Sequence, residues 1–271
     1  MKGNNTGVRV AVSAAAIPLI LLVCYLGGYY FLISFLVIAL IAYHELAAIT
    51  EKKNAKPQKA TAMLSIILLI TNGYFRAIEF ELLILGIVML VLFTELYRNR
   101  GSAILNLGST FLGIFYIGLS FLSLVQIREY FVEPLSGGYM IMSLLAGIWL
   151  CDSAAFFGGL TFGKHRLFER VSPKKSWEGA IFGFVFSVLG LVGAKYLVLD
   201  FLTIQDAVVI GVIIGTIGQM GDLAESLLKR DAGVKDSSAL IPGHGGIFDR
   251  FDSLIAVSPF VFIYINFFVG K

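Results

Sequence analysis

The sequence predicts an all-α integral membrane protein, a polytopic bundle of transmembrane helices, and three observations carry that prediction. Of 271 residues, 58% are hydrophobic and only 14% charged, whereas a soluble domain has roughly a quarter of its residues charged. The apolar residues fall in runs of roughly 18 to 21, long enough as helices to cross a hydrocarbon core of ~30 Å. Lysine and arginine gather in alternate gaps between the runs, the pattern left when basic loops stay on the cytoplasmic side.

In chain order the runs lie at about 8–26, 29–47, 104–124, 139–158, 177–196, 204–224 and 253–270, with two weaker ones at 60–75 and 80–97. Lys2 and Arg9 ahead of the first run give it the look of a signal peptide. It leads almost directly into the second, however, and Val23 before Cys24 is a poor lipoprotein cleavage context, so the expectation is an uncleaved first span. The run 60–75 is the weakest, short and closing with Asn72 and Gly73.

Nine spans with a cytoplasmic N-terminus leave only Arg76, Arg128, Lys195 and Lys271, of 21 basic residues, on the far side. If 60–97 were a hairpin that enters the membrane without crossing, the sides would be unchanged and the spans would number seven. No repeat stands out and no loop is long enough to fold alone, so 1–271 is expected to be a single domain. The longest polar loops, 160–176 and 225–252, fall on the cytoplasmic side, where any chemistry is to be sought. A net charge of +3 without a basic stripe argues against a nucleic-acid partner. Cys24 and Cys151 sit in apolar runs without close spacing and read as core or lipid-facing residues, neither disulfide nor metal pattern.

Three clusters interrupt the apolar chain. Asp152, in CDSAAFFGG (151–159), is a carboxylate inside a span. Its insertion cost of about 2.5 to 3.5 kcal/mol calls for a polar cavity or a cationic partner; it is either an interhelical bond or part of an active-site wall. SPKKSWEG (172–179) leads into a span. Serine as N-cap and proline just inside a helix start are ordinary start signals, and lysines at a membrane boundary are ordinary anchors. The functional alternative is an anion site made of exposed helix N–H groups with Lys174 and Lys175 beside them.

The third cluster is SLLKRDAGVKDSSALIPGHGGIFDRFD (226–252), with Asp222 just ahead of it. On a helix expected to end near Gly233, Asp222, Glu225, Ser226 and Lys229 share one face. PGHGG (242–246) supplies glycines that let backbone N–H groups approach an anion. Asp249 and Asp252, spaced i, i+3, can hold a hard divalent cation, and Mg²⁺ commonly uses one or two carboxylates plus substrate phosphates. A charged loop is usually a solvated face, but a solvated face needs neither the glycines nor the carboxylates at the mouths of two helices. Metal-type ligands, phosphate-type cations and glycines together specify phosphoryl or nucleotidyl transfer.

The run 226–252 resembles, without departure, the signature of the phosphatidate cytidylyltransferases, also called CDP-diacylglycerol synthases. CDSAAFFGG, FGKHR (162–166) and SPKKSWEG are also similar, so the likeness spans about 152–252, and the earlier residues match only as multiple spans. The resemblance implies an enzyme of the inner or plasma membrane with its active site at the cytoplasmic face. It would convert CTP and phosphatidic acid into CDP-diacylglycerol and pyrophosphate, with Mg²⁺, a second cation such as K⁺, and a homodimeric assembly.

In this frame Asp222 and Asp249 are expected to bind Mg²⁺, with Asp252 supporting them or serving a second cation. Lys229, Arg230, Lys235, Arg250 and His244 would clamp phosphates, although His244 is equally a candidate loop cap. Ser172, Lys174, Lys175, Ser226, Gly245, Gly246 and Asp152 would bind substrate, and Asp236 would orient Lys235 or Arg230. The chemistry agrees, because a phosphate monoester with a second pKa of about 6 is its own ionised nucleophile and needs no protein base. A transporter would show inverted repeats and binding groups at the midplane, which this sequence does not. A lipid kinase would need a base for its alcohol acceptor, and none is evident. An ether-lipid cytidylyltransferase would use the same chemistry and stays open at this point.

Overall fold

A backbone surrounded by lipid must satisfy its N–H and C=O groups internally, so apolar runs of this length form helices. The computed structural model describes residues 6–241, 243 and 245–269. Among these are nine helices: α1 (Thr6–Leu26), α2 (Gly28–Glu51), α3 (Lys59–Phe75), α4 (Phe80–Leu96), α5 (Ala103–Arg128), α6 (Pro134–Phe162), α7 (Trp177–Leu197), α8 (Ile204–Asp231) and α9 (Phe248–Phe268). Six of them, α2 and α5 to α9, are long and apolar enough to cross a membrane. The protein is thus an all-α membrane protein, and among the described residues each apolar run of the sequence falls on a helix, the last of them as far as Phe268. Lys2, Pro242, His244 and Lys271 lie outside the described residues.

One local expectation is corrected. Ser172 and Pro173 do not start a helix; Ser172–Ser176 is a strand, β2, paired antiparallel with β1 (Arg166–Phe168). In a two-stranded hairpin both strands are edges, where the missing N–H of a proline is tolerated. The helix starts later, with Ser176 as N-cap, its hydroxyl accepting from Gly179 N–H at 3.2 Å.

The chain divides into two compact units. The first comprises 1–126 and 231–251. Its core includes Phe31 stacked on Phe35 at 4.1 Å between centroids, with Phe35 and Phe121 each 6.5 Å from Phe251. A buried carboxylate, Glu95, is matched by the Gln58 and Asn106 side-chain amides and by the Arg98 guanidinium at 2.7–2.8 Å, the full pairing that a buried charge requires. Asn72, the polar residue that weakens run 60–75 as a span, closes the turn from α3 to α4 by bonding both N–H and C=O of Ile78 at 2.9 Å.

The second unit comprises 127–230 and 252–271. Here α6 and α7 pack through small residues: a Cβ at Gly179 would lie 2.6 Å from the Ala155 carbonyl oxygen. Only glycine admits so close an approach, a device suited to helices that associate in lipid. α8 opens on a capping box, Thr203 with Asp206, and Tyr264 of α9 donates to the same aspartate at 2.8 Å. Both cysteines are buried free thiols, in keeping with the sequence reading.

Candidate active site

In the second unit, α6 and α7 carry the glycines that bring them together, and the hairpin before α7 delivers two lysines beside α8. The result is a cleft of about 440 Å³ whose lining includes the polar side chains of Asp152, Lys174, Lys175, Gln219 and Asp222 and the apolar ones of Phe156, Leu160 and Leu167. The ammonium of Lys175 lies 2.5 Å from Asp222 Oδ2, and the Ser226 hydroxyl donates to Oδ1 at 3.3 Å.

The helical spacing read from the sequence holds. One turn beyond Asp222, Glu225 pairs with Lys229 at 2.5 Å, the carboxylate fully buried and the lysine 8% exposed. Asp222, Glu225 and Asp252 offer one oxygen each within 4.8 Å of one another. Lys175 and Lys229 are the ammonium groups paired within this cluster. Three carboxylates against two ammonium groups leave negative charge that a hard divalent cation would balance, and an all-oxygen ligand set suits Mg²⁺. Elsewhere in this unit, Ser172 is half-buried on β2, and Arg230 makes a long bond to the Val171 carbonyl at 3.4 Å.

The helix N-terminus behind the lysines has its amides engaged: Trp177 N–H bonds the His165 carbonyl at 2.9 Å and Gly179 N–H bonds Ser176. The Glu178 carboxylate takes the N–H of Lys164 and of His165, and the His165 ring. The polar groups this hairpin gives to the cleft are therefore the side chains of Lys174, Lys175 and Ser176.

The first unit holds most of the loop that follows α8. α8 ends at Asp231, and Gly233 takes φ +71°. Ile241 pairs with Gly245, which takes φ +85°, and Gly243 takes φ +76°, a backbone conformation that glycine adopts without strain. N–H groups of Gly246 and of its neighbours in the loop serve carboxylates of this chain. Gly246 N–H bonds Asp249 Oδ2 at 2.7 Å, and Ser237 gives that oxygen both its N–H at 3.0 Å and its hydroxyl at 2.9 Å. The N–H groups of Ile247 and Phe248 go to Glu45 of α2 at 3.1 and 2.7 Å. Lys235, Asp236 and Arg250 are exposed. His244 is outside the described residues.

The site residues expected from sequence are thus gathered in two places. Asp152, Ser172, Lys174, Lys175, Asp222, Ser226, Lys229, Arg230 and Asp252 belong to the second unit; Lys235, Asp236, Gly245, Gly246, Asp249 and Arg250 belong to the first. Sequence reasoning leaves out Glu45, Ser237 and Ser238, and places Glu225 on the shared helix face without giving it a role. The signal for Glu45 was present, since a carboxylate in the apolar run 29–47 is as conspicuous as Asp152.

Comparison with known proteins follows the same residues. A family model described as "Cytidylyltransferase family" matches residues 7–268. A phosphatidate cytidylyltransferase of Haemophilus influenzae is 43% identical over 156 residues, 54% of this chain and 51% of that protein, so this match spans about half of its length. Proteins of the same name from Synechocystis sp. and Staphylococcus haemolyticus are 30% and 32% identical, covering 95% and 93% of this chain and 95% and 96% of theirs.

Proposed function

Because the chain belongs to the cytidylyltransferase family, we propose that it acts, as a single catalytic domain over 1–271, to transfer CMP from CTP to phosphatidic acid, giving CDP-diacylglycerol and pyrophosphate for phospholipid synthesis. The observation that carries this reading is the cleft of the second unit, where Lys174, Lys175 and Asp222 share one space with Phe156 and Leu160. A phosphate carried on a bilayer lipid needs cations and apolar wall side by side.

The phosphate of phosphatidic acid, largely ionised at neutral pH, attacks the α-phosphorus of CTP. A new bond joins its oxygen to that phosphorus, the bond from the phosphorus to the bridging oxygen breaks, and pyrophosphate leaves with the electron pair. No protein base is consumed. The side chains have instead to hold two anions together and match the charge that develops on the phosphate oxygens. Lys174 and Lys175 in the cleft, with Lys229 and Arg230 on α8, are the cations proposed for this. Ser172, Ser226 and Asp152 are proposed to orient substrate.

The carboxylates Asp222 and Asp252, with Glu225 beside them, suit Mg²⁺, which when bound supplies charge neutralisation at the phosphates. A metal role for Asp249, phosphate contacts for Lys235, His244, Gly245, Gly246 and Arg250, an orienting role for Asp236, and a second cation such as K⁺ are separate proposals that rest on the resemblance. Nine helices and the one-sided distribution of basic residues support nine spans with a cytoplasmic N-terminus. The loops 160–176 and 225–252 then face the cytoplasm, in an inner or plasma membrane. The proposed assembly is a homodimer.

The test uses detergent-purified protein with cytidine-labelled CTP, phosphatidic acid and Mg²⁺. Label is expected to enter the organic phase. If none becomes lipid-soluble, the reaction is wrong; if Asp222→Asn turns over as fast as the parent, the site is wrong.

A further inference from the structure

Glu45 is a buried carboxylate about two turns from the end of the apolar helix α2, 4% exposed, and nothing in the reaction described so far uses it. Left without partners, such a group would be strongly destabilising. Its partners are four groups of one distant segment, one of them a hydroxyl shared with Asp249. Oε1 accepts from the Ser238 hydroxyl at 2.6 Å and Ile247 N–H at 3.1 Å; Oε2 accepts from Phe248 N–H at 2.7 Å and has the Ser237 hydroxyl at 3.0 Å. A carboxylate has about four lone-pair sites, so one side chain of α2 is filled by one loop of the signature region.

The loop is closed around it. A Cβ at Gly246 would run into both the Ser237 hydroxyl and the Glu45 carboxylate, so position 246 has room only for hydrogen. Ser237 is the link to Asp249. Its hydroxyl lies 3.0 Å from Glu45 Oε2 and 2.9 Å from Asp249 Oδ2, while its N–H bonds Asp249 at 3.0 Å. A hydroxyl has one proton, so any turn of the Asp249 carboxylate is felt at Glu45 through Ser237. The first amides of α9 are held by Glu45 itself, which fixes where that helix starts and hence where Asp249 and Arg250 stand.

We propose that Glu45 is a positioning residue for the transfer reaction: through Ser237, Ser238 and the N–H groups of Ile247 and Phe248 it holds the signature loop and sets Asp249. Outer partners of this kind typically contribute 10- to 100-fold to activity. The inference rests on the proposed cytidylyl transfer, and on residues 237–249 taking part in it.

Glu45→Gln is the informative change. Each oxygen serves one hydroxyl and one backbone N–H. A hydroxyl can rotate to accept from a carboxamide NH₂, but a backbone N–H cannot, so one of Ile247 and Phe248 must lose its acceptor whichever way the amide turns. In the full-length protein in detergent, Glu45→Gln is expected to lower kcat by about 10-fold or more while KM for CTP moves by less than about 3-fold. Trypsin cleavage at Lys235, followed by peptide mass, should quicken, an outcome read without any turnover. A folded Glu45→Gln protein with kcat within about 2-fold of the parent overturns the proposal. Where Glu45→Gln fails to fold, Ser238→Ala decides. It removes one donor to Glu45 and the acceptor of the exposed Leu240 N–H; a kcat about 3-fold lower or more supports the role, and a parental kcat overturns it. A parent that makes no cytidine-labelled lipid fails the reaction itself, whereas an active parent with unaffected variants fails only the role of Glu45.

Discussion

The two carboxylate clusters are built from the same residue types and partnered in opposite ways. In the second unit Asp222 and Glu225 meet ammonium groups, Lys175 and Lys229, each at 2.5 Å, with a third carboxylate, Asp252, in the same cluster. In the first unit the oxygens of Glu45 and Asp249 accept from N–H groups and serine hydroxyls at 2.6 to 3.2 Å. Neutral donors hold a carboxylate in place without cancelling its charge. Ammonium groups cancel charge and can change partner when a phosphate arrives. The first arrangement is scaffolding for a loop; the second is suited to exchanging ions.

The largest test of that contrast is to remove one negative charge from each cluster at nearly constant shape. Asp222→Asn is expected to lower kcat by about 10²-fold or more, the scale of losing an electrostatic contact in a preorganised site, with little change in thermal unfolding. Asp249→Asn should lose activity and stability together, because an amide oxygen replaces only part of an acceptor that serves Ser237 and Gly246. The stability loss expected is about 1–3 kcal/mol, the cost of unsatisfied buried donors. If Asp222→Asn unfolds more readily than Asp249→Asn, the division between ion exchange and scaffolding is wrong.

Lys175→Met sharpens the comparison from the cation side. Methionine keeps the length of the stem and drops the charge, so the hairpin should stay folded while Asp222 loses its ion pair. A 10- to 100-fold loss in kcat/KM is expected, in proportion to a charge-assisted contact to substrate phosphate. Steady-state kinetics in CTP and in phosphatidic acid would show which substrate carries the loss. Unchanged kinetics in both would remove Lys175 from the site.

How much of this was legible in the sequence follows from the range over which each signal acts. Spans are read from run length, a local property, and among the described residues every apolar run lies on a helix. The shared face of Asp222, Glu225, Ser226 and Lys229 is also local, because helical period alone decides it, and the Asp222 to Ser226 and Glu225 to Lys229 contacts follow. The hairpin 166–176 was misread because its strands are three and five residues long and Ser172-Pro173 imitates a helix start. Glu45 was passed over for a different reason. Its partners lie 192 to 203 residues away, and no local pattern names a partner at that distance. The same holds for the glycine segment: sequence shows that its N–H groups can approach an anion, but not that the Gly246 N–H meets Asp249 of the same chain, or that the next two N–H groups meet Glu45.

The smallest and most discriminating change is the same deletion made in both clusters, serine to alanine. At Ser237 it removes a hydroxyl set between two carboxylates at 2.9 and 3.0 Å. Each of those oxygens keeps its backbone donors, so a loss of about 1–1.5 kcal/mol in stability is expected, the upper range for one hydrogen bond. Activity should fall about 3- to 10-fold as Asp249 loosens. At Ser226 the hydroxyl makes a single long bond, 3.3 Å to Asp222 Oδ1, while the Lys175 ammonium holds the other oxygen. A bond at that length contributes little and a half-buried site admits water in its place, so stability should move by less than about 0.5 kcal/mol. Matching losses at the two serines would mean that hydroxyls matter equally in both clusters, and that ion pairing is not what holds Asp222.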